Sequence, residues 1–488
     1  MERIPKEDFL PADQALRQEK ETVHAPSGSY AADAWGRFRK NKSSVVAGVI
    51  ILLLLSFALL VPELSPYDVS SRDGYYKNVL PKFAPLAFLG WDGCAVRSCS
   101  QAACDYYGGI GIESGTPAVK AIREKNLDPH TGQYHYRLSI DTYEQVGFQY
   151  VDISPAELDA IRAYEAQSGI QVLYPLPRYY RTPFPAVPGS ANLWYQLADE
   201  SKYSTGLSRY HDDDGHAVYV ADYLLDEAGQ PVYAAKNQTG YCCRVLYSAY
   251  YRCQTGHDPV HPFGTNQHGQ DIWVCLAYGA RLSFLLALGV SAINFLIGIA
   301  YGAVEGFYGG KLDLVMERIA DILAAVPFIV VATLFQLHLA QRAGPVLSLL
   351  FAFVLTGWIG IASRVRTQFY RFKNAEYVLS SRTLGAGDGR LIFRHILPNA
   401  IGTIITGTVL MIPGVIFSES MLSYLGIVNL EASRLTSIGT MLAAGRAYLG
   451  SFPHILFFPA AFIALLQISF NLFGNGLRDA LNPTLRQD

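Results

Sequence analysis

Charge is scarce in this chain. Only 16% of its 488 residues are Asp, Glu, Lys or Arg, and the formal net charge is −2. A near-neutral total provides no basic field for a nucleic-acid partner. No G-x-x-x-x-G-K-[ST] phosphate loop occurs, so any ATP hydrolysis belongs to another chain. The first 30 residues do not combine a basic start, an apolar core and a small-residue cleavage site, so no cleaved secretion signal is expected. Metal-ligand patterns are missing as well. His211-Asp212-Asp213-Asp214-Gly215-His216 lacks EF-hand spacing and reads as a solvated acidic turn. His257, Asp258, His261 and His268 are spread along a loop and read as structural. No metal, cofactor or catalytic group is expected in this chain.

Half of the residues are hydrophobic, and they are concentrated. Ser43–Val61 is an uncharged run of about 19 residues, enough for one spanning helix. Arg37, Arg39, Lys40 and Lys42 stand at its start, and such residues stay on the cytoplasmic side during insertion. Residues 1–42 are therefore expected inside, with 43–62 as an uncleaved first transmembrane helix. Further spans fall near 280–304, 317–340, 346–363, 398–420 and 453–475. The sequence predicts an α-helical polytopic membrane protein with six transmembrane helices and both termini cytoplasmic.

Residues 63–262 are different. They are polar and hold 23 of the 31 tyrosines, as suits a folded domain inserted between the first two spans. Counting from an inside N-terminus puts this block outside the membrane. Tyr134–Leu138 alternates aromatic and polar residues after the Asp128–Gly132 turn, and Asp226–Pro231 is a second turn. Ser154-Pro155-Ala156-Glu157 has the order of a helix N-terminus. The inserted domain is expected to be α+β.

Six of the seven cysteines, Cys94, Cys99, Cys104, Cys242, Cys243 and Cys253, lie in this block. An even set outside the membrane reads as disulfides, with a link between the 94–104 and 242–253 clusters. The rival reading is a zinc site built on the even spacing of Cys94, Cys99 and Cys104.

Within the apolar half, Glu305, Glu317, Asp321 and Glu419 sit in or at the ends of spans, and Pro327 and Pro413 interrupt two of them. Ionisable groups within a span face a bundle interior or a water-filled path. Glu305 and Glu317 read as interfacial. Asp321 and Glu419 are the candidates for lining a pathway or pairing across a subunit interface.

The segment from Arg364 to Pro398 carries seven Lys/Arg against Glu376 and Asp388, between two spans. Its charge puts it in the cytoplasm, and the count of spans agrees. Helix-compatible composition, a break at Gly385-Ala386-Gly387 and a second apolar stretch ending at Pro398 make it a docking element rather than a tether. Lipid headgroups would account for its charge but not for its layout.

This loop resembles the cytoplasmic "EAA" loop of ABC-importer permeases, in which Glu-Ala-Ala precedes a Gly and, further on, Ile-x-Leu-Pro. With Gly385 as that glycine, Leu379, Ser380 and Ser381 stand at Glu-Ala-Ala, His395 at the Ile, and Leu397-Pro398 at Leu-Pro. The usual Glu is missing, although Glu376 lies one turn earlier. His261-Pro262-Phe263-Gly264-Thr265, Gly306–Asp313 and Gly476–Pro483 resemble segments of dipeptide/oligopeptide/nickel-type permeases, and the Trp35–Lys42 collar is similar to their C-type subunit.

The resemblance implies a non-enzymatic permease subunit, in the bacterial plasma membrane, of an ATP-driven importer for peptides or related solutes. Its partners would be a second related permease, two cytoplasmic ATPases holding ATP and Mg, a solute-binding protein and membrane lipid. Residues 263–488 would form the permease core. The coupling-loop residues would be Glu376, Leu379, Ser380, Ser381, Gly385, Ala386, Asp388, His395, Leu397 and Pro398. Two rivals stay open: a ligand-sensing or assembly protein with a membrane anchor, and an ion-driven carrier using Asp321 and Glu419.

Overall fold

A computed structural model of the chain describes residues 30–130, 134–177, 191, 210–211, 217–218, 223–430 and 435–481. The acidic stretch 212–216, the turn tip at Thr131-Gly132 and Asn482-Pro483 lie outside the described residues.

The chain enters through α1 (Tyr30–Lys40) and α2 (Lys42–Leu64), separated by Asn41, whose side chain caps α2 by accepting from Ser44 N at 3.4 Å. Only Ser44, Ala47, Leu54 and Ala58 of α2 are buried. That narrow stripe packs on protein, while Leu52, Leu53, Leu59 and Leu60 point outward as a lipid-facing helix requires. Phe38 and Ser44 tie α1 and α2 to the last helix through Phe473 and the Leu472 carbonyl.

The inserted domain is built from two small antiparallel sheets. One has the order β1 (Cys94–Ser100), β3 (Tyr134–Asp141), β2 (Val119–Leu127), with α3 (Gln101–Ser114) between β1 and β2. The other centres on β9 (Tyr241–Leu246), flanked by β4 (Phe148–Ile153), β5 (Leu173–Tyr174) and β8 (Ala234–Lys236). A separate two-residue pair joins β6 (Tyr210–His211) and β7 (Ala217–Val218). The capped helix expected at Ser154 forms as α4 (Pro155–Ser168), its cap accepting from Glu157 N at 3.2 Å. Helix α5 (Tyr247–Thr255) follows β9 and packs with α4 over Phe148, Ile153, Cys243 and Val245.

At the centre of this domain a fully buried Arg244 donates to both oxygens of Glu113, at 2.5 and 2.6 Å, with its guanidinium 4.2 Å from the Phe148 ring centre. It also donates to the Ala191 and Pro175 carbonyls at 2.6 and 3.2 Å. The pair joins α3 to β9.

Six apolar segments follow the expected order, one of them broken. Helix α6 (Ile272–Tyr308) has 37 residues, about 55 Å of helix, well beyond a bilayer core. The single span expected near 317–340 is two helices, α7 (Gly310–Ala324) and α8 (Phe328–His338), bent by 72°. Pro327 is the cause: it offers no N–H and pushes the preceding residue out of helical geometry. Next come α9 (Pro345–Gly357) and α10 (Ile359–Phe372), together one span. Helix α11 (Glu376–Thr383) precedes a 37-residue span from Asp388 to Tyr424, which contains α12 (Leu397–Val409) and α13 (Met411–Tyr424). The short α14 (Ile438–Arg446) and the long α15 (His454–Leu481) complete the bundle.

The tightest helix contact is between α6 and α10. Cβ atoms added to Gly298 or Gly306 would lie 2.7 Å from Ile361 or Phe369 Cβ, and one on Gly302 would strike the Ala362 carbonyl. Three glycines at four-residue spacing let the two backbones touch.

The buried ion pair of the inserted domain yields a measurable expectation. Glu113→Ala leaves the Arg244 guanidinium buried without its anion and is expected to cost about 3–5 kcal/mol. In detergent-solubilised protein this would appear as early proteolytic cleavage within 94–255 on heating, with the membrane helices protected.

Candidate functional site

The segment between α10 and α12 forms a projecting, internally braced hairpin of helices. Only Lys373–Ala375 separate α10 from α11, and Lys373 N and Ala375 N continue to donate to Phe369 O and Phe372 O. Val378 on the inner face of α11 is buried with Leu391, Ile392, Ile396, Phe307 and Phe369. The helix closes on Gly385, whose φ of +86° suits a residue without Cβ. Gly385 N donates to Arg382 O, and Ala386 N to Ser381 O.

The second limb does not end at Pro398 as expected. A helical turn at Asp388–Arg390 leads into a wider π-type turn at Leu391–Ile396 and then directly into α12. The widened turn lets the helix carry Pro398, which has no N–H to give to the preceding turn. Asn399 Nδ2 donates to the Tyr377 hydroxyl and the His395 carbonyl, pinning the two limbs together. Burial raises the Tyr377 phenol above its usual range.

The other face of the hairpin is open. Leu384 is 88% and Phe393 67% exposed, and Leu379 is exposed beside them. Glu376, Ser380, Asp388, Arg390 and Arg394 are exposed around these tips, and Ser381 is half-buried with its hydroxyl turned back on the Tyr377 carbonyl. Leu379, at the position of the missing Glu, thus adds to an apolar face. Leu384 and Phe393 were not singled out by sequence. Their signal was position alone, one preceding the glycine turn and the other among basic residues.

Behind the hairpin lies a charge cluster. Arg366 on α10 binds Asp313 on α7 with both arms, Nε to Oδ1 at 2.6 Å and Nη2 to Oδ2 at 2.9 Å. Arg366 also donates to Glu317 at 3.1 Å and approaches Glu305 at 3.5 Å. Tyr370, one turn along, donates to Asp313 Oδ2 at 2.7 Å, and Lys373 donates to the Gly306 carbonyl at 3.2 Å. Glu305 is buried in the protein, where Arg366 reaches it from across the α6–α10 contact. Arg366 and Tyr370, four apart on one helix face, were the readable hint.

The two carboxylates proposed for a pathway lie in different settings. Asp321 is exposed on α7 and pairs with Arg318 at 2.9 Å. Glu419 on α13 is 1% exposed. It accepts from four hydroxyls: Ser283 (3.2 Å) on α6, Ser420 (3.4 Å) and Ser423 (3.2 Å) on its own helix, and Ser437 (2.7 Å), the N-cap of α14.

The cysteines fall into separate groups. Cys99 and Cys104 pack on the Tyr136–Leu138–Ile140 cluster, whereas Cys243 and Cys253 belong to the core under α4 and α5. Cys242 faces away from Cys243, as neighbours on a strand do, and Cys94 and Cys99, five apart on β1, likewise face opposite sides. Burial pushes the Cys94 thiol up to about 11 and the Cys243 thiol up to about 12. Among the described residues no disulfide forms the link expected between the 94–104 and 242–253 clusters; Glu113 and Arg244 join the two segments instead. His261 pairs with Asp271 at 2.7 Å, and His257 Nδ1 faces the Asp258 carbonyl. Among the described residues no three His, Cys, Asp or Glu side chains converge on one point.

Comparison with known proteins gives the family of the chain. Residues 283–487 match the family of binding-protein-dependent transport system inner membrane components, and residues 29–85 match the N-terminal TM domain of oligopeptide transport permease C. The chain is 44% identical over 227 residues to the oligopeptide transport system permease protein OppC of Bacillus subtilis (strain 168), an overlap of 46% of this chain and 73% of that protein. The chain belongs to this permease family. It is also 41% identical over 228 residues to the dipeptide transport system permease protein DppC of the same organism, across 46% of this chain and 70% of that one. With OppC of Escherichia coli (strain K12) it shares 34% over 223 residues, 46% of this chain and 72% of that one. The family is one of membrane transport permeases, not enzymes. Residues 86–282 fall outside both matched stretches, and the inserted domain fills most of that interval.

The serine nest around Glu419 can be tested directly. Glu419→Ala strands four hydroxyls and is expected to cost about 1–3 kcal/mol locally. Amide exchange at Thr440–Leu442 in α14 should then quicken by roughly tenfold or more, with a smaller effect for Glu419→Gln.

Proposed function

We propose that this permease is one half of the translocation pathway of an ATP-driven importer for peptides or related solutes, and that the α11–α12 hairpin docks on a cytoplasmic ATPase. The observation that carries this reading is the two-faced hairpin. Its inner face is fixed by Val378, Leu391 and Ile396, while Leu379, Leu384 and Phe393 stand uncovered within a rim of arginines. An exposed apolar patch with a charged rim is the signature of a protein contact. The names of the relatives, peptide-transport permeases, supply the substrate class.

In this arrangement the N-terminus, the hairpin and the C-terminus face the cytoplasm, as the basic collar before α2 favours. The inserted domain then lies outside, where a solute-binding protein delivers substrate. A second related permease completes the pathway, and two ATPases bind ATP and Mg. Glu419 holds α14 against α6 and α13 at the outer end, and Asp321, exposed on α7 beside Arg318, faces the second permease or the headgroups.

Two outcomes are expected. Purification from native membranes should bring a second permease and ATPase subunits with the chain; recovery of a lone homo-oligomer would refute the importer reading. Gly385→Val should insert normally yet block uptake, because a β-branched residue cannot hold φ near +86°. Unchanged uptake would show that the turn is dispensable.

A further inference from the structure

We propose that Arg366 is a positioning residue for transport, and that its clamp on Asp313 is the joint through which displacement of α11 reaches the bent span α7–α8. The inference rests on the reading of α11 as the ATPase dock. Of the 15 residues of α7, Asp313 alone is buried. Leu312, Leu314, Val315, Ile319 and Ile322 are all exposed, so no apolar face of α7 is sunk into this chain. The helix also begins at a glycine turn, where Gly309 and Gly310 both have positive φ, at 67° and 63°, and the chain changes direction from α6. What holds α7 at an angle to α6 is the Arg366 fork, with Glu317 as a second acceptor and the Tyr301 hydroxyl donating to the Met316 carbonyl at 2.6 Å.

At the other side of the joint, α10 is stiffly linked to α11. Three residues separate them, and the hydrogen bonds at Lys373 and Ala375 leave no slack. A push on α11 therefore reaches Arg366 and Tyr370, whose side chains both end on Asp313. A two-armed guanidinium–carboxylate contact transmits direction as well as attraction, because two parallel hydrogen bonds resist rotation about one another. A lysine at 366 would keep the charge but act as a point on a flexible stem. The bend at Ala325–Pro327 then converts tilting of α7 into movement of α8.

The test uses the whole importer, with its second permease and ATPases, in lipid nanodiscs. Genetically encoded spin labels leave the native cysteines in place. One pair reports α11 against the first span (Ser380 and Leu60), and the other reports α8 against it (Leu337 and Leu60); distances are read with and without ATP and vanadate. In the otherwise native chain both pairs should shift. In Arg366→Lys, and in Asp313→Asn, the α11 pair should keep its shift while the α8 shift falls by at least half. The exchange Asp313→Arg with Arg366→Asp should recover most of it. Tyr370→Phe, which removes one hydrogen bond and no charge, serves where a charge variant fails to assemble, with an intermediate loss expected. An unchanged α8 shift in the variants would overturn the proposal. So would loss of both shifts together, because the clamp would then only shape the hairpin. If neither pair moves in the native complex while ATP is bound, the docking reading itself fails and this inference falls with it.

Discussion

The contact between α6 and α10 is the constraint on which the rest is arranged. Gly298, Gly302 and Gly306 remove side chains from one stripe of α6, and the backbone of α10 settles into the space. In a bilayer no hydrophobic force pulls helices together, so association depends on close packing of this kind. Every added atom at these glycines would separate the helices, and the hydrogen bonds that depend on their spacing would go with it. The reach of Lys373 to the Gly306 carbonyl and of Arg366 toward Glu305 exists because the axes are this close.

That spacing also explains how a cluster of two cations and three carboxylates is tolerated at the end of a membrane bundle. Arg366 is three-quarters buried, and its partners Asp313 and Glu305 are more so. Isolated charges at such depth are costly, but a fork that satisfies both oxygens of one carboxylate and reaches two others offsets much of the desolvation. The exposed pair between Arg318 and Asp321, only eight residues further along α7 from Asp313, has no such environment and contributes little. Depth and geometry, rather than the number of charges, separate the Arg366–Asp313 pair from the surface pair.

The apolar spans and the basic loop were legible in the sequence because each rests on a local property: run length, or the sign of charge between runs. Pro327 was visible as an interruption, but the size of the bend was not, since it depends on how α7 and α8 are held afterwards. The capped helix at Ser154 was readable from four residues. The inserted domain was not readable as a fold, because its sheets pair β9 with strands up to about a hundred residues earlier, and nothing local encodes that pairing. The cysteine clusters drew attention to the two segments that are indeed joined, but Arg244 and Glu113 join them, and neither looks special alone. The pairing of Glu305 was hidden for the same reason: its partner is 61 residues away on another helix.

The inserted domain is not hung loosely on the permease. Thr265 accepts from Val79 N at 3.0 Å and donates to the Tyr76 carbonyl, so the segment leading into α6 is threaded between residues 76 and 79. Asp271 caps α6 through Val274 N at 2.8 Å while its other oxygen meets His261, which stacks under Tyr143 of the inserted domain. Phe263 lies flat on Phe458 of α15, with centroids 3.9 Å apart. The N-terminus of α6 is thus fixed by the inserted domain, and its other end is fixed by α10 and, through Phe307, by the hairpin. One continuous helix of 37 residues joins the two. An α-helix of that length, packed along one side, resists bending far more than the loops around it. A domain absent from the matched stretches of the family is therefore bound to the same continuous helix as the α11–α12 hairpin.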